Sequence, residues 1–171
     1  MINRHHEILT SLSGKAITGK SALTFASGPL ELDVIFTDPQ TTSAALTFAQ
    51  SFARELGAHI CLRATIAVPL QFPLDRSPVS VAFVQEALRN LVSQLDGYTF
   101  EPTVHLYLCR DRVPTLLQVL RRNSLVVLGG RKRWWPTAAS RLARALRAEG
   151  HRVIVVDSRA QTASEQPVFA R

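Results

Sequence analysis

Residues Gly14–Ser21 (GKAITGKS) fit the pattern G-x-x-x-x-G-K-[ST], in which backbone amides and a lysine, here Lys20, cradle a phosphate chain. Such a loop works only between a buried strand and a long helix. His5–Leu12 is weakly strand-like, and Ser27-Gly28-Pro29 would stop any following helix after barely two turns. Asp38 follows too soon to act as a magnesium-holding acid behind an intervening helix. Matches without that context are usually accidental, and this one is set aside.

A second group is better placed. Asp38 closes the apolar run Leu30–Thr37, and Gly129-Gly130 close Leu125–Leu128, followed at once by Arg131-Lys132-Arg133. Glycines let backbone approach a phosphate, and basic side chains add charge-assisted bonds. Each residue also has a plainer role, since aspartate caps helices and glycine relieves crowding. Trp134-Trp135 follow in the same loop. Neighbouring side chains of an extended chain diverge, so one ring packs inward and the other is left for a base, an arginine or a second subunit; anchoring of the loop by large aromatics is the commoner outcome. Pro136 and Thr137 then open a helix.

No catalytic set emerges. The histidines, His5, His6, His59, His105 and His151, are scattered, and only the adjacent terminal pair approaches metal-ligand spacing. Cys61 and Cys109 sit in apolar, strand-like surroundings, where a thiol behaves as a small hydrophobe. Arg110 and Arg112 beside Cys109 would activate an exposed thiol, but its neighbours suit strand-end packing. The expectation is binding rather than catalysis, with no metal required.

The elements that must position these residues alternate between apolar β-rich runs and amphipathic helical patterns, the arrangement of βαβ units and a mostly parallel sheet. Strands are expected near 30–37, 58–68, 103–109, 125–128 and 152–156. Helices are expected over 45–56, where Ala45, Phe48, Ala49, Phe52, Ala53 and Leu56 recur at helical spacing before Gly57, and over 84–95, 113–122 and 137–149. Residues 69–78, punctuated by proline, form a lid or a surface crossover. The division expected is an N-terminal extension over 1–29, with Ser21–Ala26 a candidate extra strand, one domain over 30–157, and a tail over 158–171.

At 171 residues and 46% hydrophobic, the chain suits one domain with a full core. Its longest apolar runs fall far short of a membrane span. Met1–Glu7 has no secretory signal character, so a cytoplasmic protein is expected. The net charge of +7 is uneven: Arg110–Arg152 contains eleven Lys/Arg against Asp111 and Glu149. That excess suits an anionic partner or a solvated face about equally.

Taken in order, Val34-Ile35-Phe36-Thr37-Asp38, the alanine-rich Ala44–Gly57 ending in Leu56-Gly57-Ala58, and Leu125–Arg131 make residues 30 to 157 resemble the universal stress protein family. The resemblance implies an adenine nucleotide alpha hydrolase-like fold, an open parallel five-stranded sheet of order 3-2-1-4-5 with helices on both faces. Strands one and four are then adjacent where the crossover direction reverses, the position at which such sheets bind ligands. It further implies a ligand set of Asp38, Thr65, Gly129, Gly130, Arg131, Lys132 and Ser140 for ATP, AMP or another nucleotide. A role in stress response and a homodimer paired through the edge strand near Val153–Val156 are also implied, and nucleic acid is not the expected partner. The sequence departs from the family's G-x-x-G, nine residues, G-[ST] loop: Lys132 stands at the second glycine, and Ala139-Ser140 replace Gly-Ser with three fewer residues between. The alternative is therefore a homodimeric interaction module that has lost nucleotide binding.

Overall fold

The computed structural model describes residues 6–10, 30–95, 102–131 and 137–158, the first of these as backbone only. Five strands follow the expected rhythm: β2 (Glu31–Ile35), β3 (His59–Ala67), β4 (Thr103–Cys109), β5 (Leu125–Gly130) and β6 (Arg152–Asp157). They form the parallel sheet β4-β3-β2-β5-β6, which is the expected order 3-2-1-4-5. The sequence reading does not contain a sixth strand in its place: β1 (His6–Thr10) adds antiparallel to the β4 edge, with His6 opposite Leu108. Ser21–Ala26, the segment expected to supply an extra strand, lies outside the described residues, as does the Gly14–Ser21 motif.

Helices α1 (Pro39–Leu56) and α2 (Val81–Ser93) cover one face, and α3 (Arg112–Val119) and α4 (Ala138–Ala148) the other. Two apolar layers result. Leu32, Val34, Ile60, Leu62, Leu106 and Val127 meet α1 and α2 through Leu46, Ala49 and Leu88. Ile35, Val126 and Leu128 meet α3 and α4 through Leu116, Ala143 and Leu146. The alternation along each strand assigns its side chains to the two layers.

Helix α1 begins six residues before the apolar spacing suggests. Asp38 is its N-cap and Pro39 its first residue, a start set by capping chemistry rather than hydrophobicity. Thr41 and Thr42 in that first turn are buried. At the other end Gly57 adopts the left-handed conformation (φ 61°) that closes the helix. Residues 69–80 are turns ending at Ser80, which caps α2 by accepting from the Phe83 amide at 3.3 Å. No helix among the described residues is long and apolar enough to cross a membrane.

Candidate functional site

The carboxyl ends of β2 and β5 lie side by side, and the chain leaves β2 for α1 on one face while β5 leads to α4 on the other. The amino ends of α1 and α4 therefore flank a crevice above the sheet, where their unpaired backbone amides favour anions. Asp38 stands on its rim, exposed. Its Oδ1 accepts the Thr41 amide at 3.0 Å and its Oδ2 accepts the Thr41 hydroxyl at 2.5 Å. Thr37 sews the loop down: its amide donates to the Thr42 hydroxyl at 3.1 Å, and its hydroxyl donates to the Gly129 carbonyl at 3.4 Å.

Gly129 and Gly130 are the last residues of β5, paired with Val156 and Asp157, rather than the start of a loop. Neither has positive φ, so neither glycine is needed for backbone freedom. Gly129 is needed for space. A Cβ there would overlap the carbonyl group of Thr41 and stand 2.9 Å from the Thr41 Cβ, so α1 packs its first turn directly onto the strand. At Gly130 the nearest atom would be Val155 Cγ1 at 3.2 Å.

Arg131 is exposed and donates to the Gln40 side-chain carbonyl, tying the strand end to α1. Ser140 is the third residue of α4; its amide donates to the Thr137 hydroxyl at 3.2 Å and its own hydroxyl to the Thr137 carbonyl at 2.8 Å. Thr137 is thus the N-cap of α4, as expected; Pro136 lies outside the described residues. Thr65 lies within β3, which continues to Ala67; it is buried and paired with Tyr107 of β4. Lys132 and Trp134-Trp135 fall outside the described residues. The structure therefore gathers Asp38, Gly129, Gly130 and Arg131 around the first turn of α1, with Ser140 on the neighbouring helix. A groove of about 660 Å³ opens beside them, lined by Pro39, Gln40, Ser43, Leu91, Gln94, Arg131 and Ser158; only Arg131 of the expected set borders it.

The sequence reading missed a buried charged cluster. On the α3 side of the sheet Arg63, 6% exposed, donates from Nε to Asp33 at 2.5 Å, from one terminal nitrogen to Glu31 at 2.8 Å and from the other to the Tyr107 hydroxyl at 3.0 Å. Arg121 reaches the second oxygen of Glu31 at 3.1 Å. Burial raises the Asp33 carboxyl above its usual range, with Arg63 pulling against it. At Glu31 burial acts the same way but is outweighed by the Cys61 hydrogen bond and the charges of Arg63 and Arg121, which hold that carboxyl low. Burial and then Glu31 push the Cys61 thiol well up, so it stays protonated. Donor atoms of Glu31, Asp33 and Cys61 lie within 4.8 Å of one another, the proximity a metal site needs, but the Arg63 guanidinium already supplies the cation. Polar residues at alternate positions of otherwise apolar strands, Glu31 and Asp33 in ELDVI and Arg63 in HICLRATIA, were the available signal.

The fold and the crevice define the class: a doubly wound α/β domain with its candidate site at the topological switch point. More particularly, the fold is that of the universal stress proteins. The solved structures of a universal stress protein from Archaeoglobus fulgidus match with a TM-score of 0.56 at 17% identity, over 75% of this chain and 93% of that one. A second, described as the universal stress protein from Archaeoglobus fulgidus in complex with dAMP, matches with a TM-score of 0.52 at 16% identity, over 75% of this chain and 98% of that one. No protein-family model and no curated protein matches the sequence.

Proposed function

We propose that the chain is a non-enzymatic regulatory domain of universal stress protein type, working in the cytoplasm and binding an adenine nucleotide or another anionic ligand in the β2/β5 crevice. Residues 30–157 form that domain, 1–29 an extension and 158–171 a tail. The observation that carries the reading is the convergence of two helix amino ends on the glycine-ended strand β5, with Asp38 and Arg131 on the rim. The dAMP bound by the Archaeoglobus fulgidus protein supports it. Hydroxyls at the crevice (Thr37, Thr41, Ser140) are committed to caps and loop bonds, which suits binding more than chemistry.

The test is thermal denaturation of the whole chain with ATP, ADP, AMP and cyclic dinucleotides, repeated with Asp38→Ala. A ligand at a hundredfold excess over Kd stabilises by about 2.7 kcal/mol through mass action. Asp38→Ala is expected to cost ~1 kcal/mol as a lost cap and to abolish the ligand shift. A panel that moves nothing in the wild type refutes nucleotide binding. It would leave the interaction module, a reading favoured by the Thr41 backbone filling the space above Gly129 and by the Arg131–Gln40 contact across the rim.

Homodimerisation belongs to both readings. β6 ends the sheet, and Val155 is 43% exposed on it, an edge that calls for cover. Opposed side chains of an antiparallel pair share a face, so a symmetric pair centred on Val155 sets the exposed Val155 side chains of two copies against each other. Val155→Asp is expected to weaken the dimer at least ~10-fold, because two like charges then meet at its centre. Light scattering across a dilution series reads this; a dimer indifferent to the variant would place the contact elsewhere.

A further inference from the structure

The exposed side of α4 carries Arg141, Arg144 and Arg147, three residues apart, while Ala139, Ala143 and Leu146 are buried beneath it. At about 1.5 Å of rise per residue, this sets one guanidinium roughly every 4.5 Å along the helix. Like charges at this spacing destabilise a helix by a few tenths of a kcal/mol per pair, and helices commonly relieve it with acids one turn away. Helix α4 has no acidic residue; Glu149 follows only after its last turn. Among the described residues Arg141 and Arg144 have no acidic partner, and Arg147 donates to the Val153 carbonyl at 2.7 Å, leaving its other donors open.

We infer that this face of α4 docks a nucleic-acid backbone, without regard to sequence. The partner has to be a polyanion, because the band is continuous and unbalanced. A lipid surface fits less well: of the large exposed apolar side chains, Leu70, Phe72, Val79, Phe83 and Leu56 belong to the loop after β3, to α2 and to the end of α1, Leu30 precedes β2, and Val155 alone stands on β6 beside α4. Arginine, with its planar fork of donors, matches phosphate geometry. α4 exposes no amide or aromatic side chain, so base-edge contacts would fall to the same arginines, and their even spacing along one face suits phosphates. This inference is independent of the crevice reading, because α4's outer face forms no part of the crevice.

The experiment follows fluorescence anisotropy of a labelled mixed-sequence DNA duplex, and of a single-stranded RNA, with the full chain. Contact with ~3 phosphates predicts an affinity that falls roughly 40-fold between ~50 and ~200 mM salt. In the triple variant Arg141→Glu, Arg144→Glu, Arg147→Glu the slope of log affinity against log salt is expected to drop by roughly 3, leaving little salt dependence. A control with the same charge change on the other face, Arg54→Glu, Arg76→Glu, Arg89→Glu, is expected to retain most of the salt slope. All six side chains are exposed, so folding is checked simply by circular dichroism. Absence of wild-type binding to either nucleic acid overturns the inference, as does a control variant that loses as much as the α4 variant. Recruitment to phosphatidylglycerol vesicles through the same arginines without nucleic-acid binding also overturns it, in favour of a membrane.

Discussion

Gly129→Ala is expected to destabilise the fold by about 3 kcal/mol, at the upper end of what overpacking by one methyl group costs. The added Cβ meets backbone, the Thr41 carbonyl, and not the end of a side chain that can turn away. Relief requires α1 to lift from the sheet. Its first turn is tied down by the Asp38 cap, by the Thr37–Thr42 and Thr37–Gly129 bonds, and by burial of Thr41 and Thr42. Because Gly129 has ordinary φ, none of the loss comes from backbone strain. Gly130→Ala is the internal control: its Cβ meets side-chain atoms, Val155 Cγ1 at 3.2 Å on a partly exposed edge strand and Ala139 Cβ at 3.8 Å, and the expected cost is ~1 kcal/mol or less. Urea denaturation of the two variants measures the difference. Equal losses would mean that α1 does not rest on Gly129.

Arg63→Met is expected to cost roughly 3–5 kcal/mol at pH 7, because it leaves Asp33 a buried charge without a counterion and Glu31 with only the exposed Arg121. The sign of its pH dependence follows from linkage. In the wild type Glu31, held low, adds stability that is present above its unfolded pKa and is lost as pH falls through its folded value. Asp33, held high, opposes this, adding stability at low pH that is lost as pH rises through its folded value. Without the guanidinium both carboxyls rise, and the folded state binds protons more tightly than the unfolded one. The variant should therefore regain stability on acidification from pH 7 to 5, over a range in which the wild type changes little. Adding Glu31→Gln and Asp33→Asn to Arg63→Met should recover most of the loss, since a neutral cluster leaves no unpaired charge. A loss below ~1 kcal/mol at pH 7, or one that stays constant from pH 5 to 7, would show that Arg63 does not neutralise these acids.

Much of the architecture was legible along the chain. The helical recurrence from Ala45 to Leu56, the stop at Gly57 and the apolar runs at 58–68, 103–109 and 125–128 report on residues within a turn or a pleat of one another. Hydrophobic burial and capping act at that range, so periodicity exposes them. The order 3-2-1-4-5 came from the family resemblance, and the registers bear it out. Among the site residues, Asp38 was recognisable as the end of an apolar strand before a helix, and both its readings, cap and ligand contact, were visible. The structure makes the cap concrete.

The glycines were found for an incomplete reason. Sequence shows that Gly129-Gly130 end a strand at the switch point; only packing reveals that α1, 88 positions back at Thr41, occupies the space above Gly129. Thr65, in the ligand set the resemblance implies, is buried inside β3, which outlasts β2 because it pairs with β4 up to Cys109. Likewise β1 exists as a strand through its partner, since His6–Thr10 has weak propensity alone and joins the sheet by bonding to β4. Arg63, Asp33, Glu31 and Tyr107 look like misplaced polar residues when read singly; register brings them within hydrogen-bond reach across three strands. By itself the sequence determined the strands and helices between Glu31 and Asp157 and the candidate residues at Asp38 and Gly129-Gly130, because short-range periodicity and capping specify them. Tertiary structure alone decided what Gly129 makes room for, which buried charges neutralise each other and where β1 docks, because each depends on contacts between residues about thirty to a hundred positions apart.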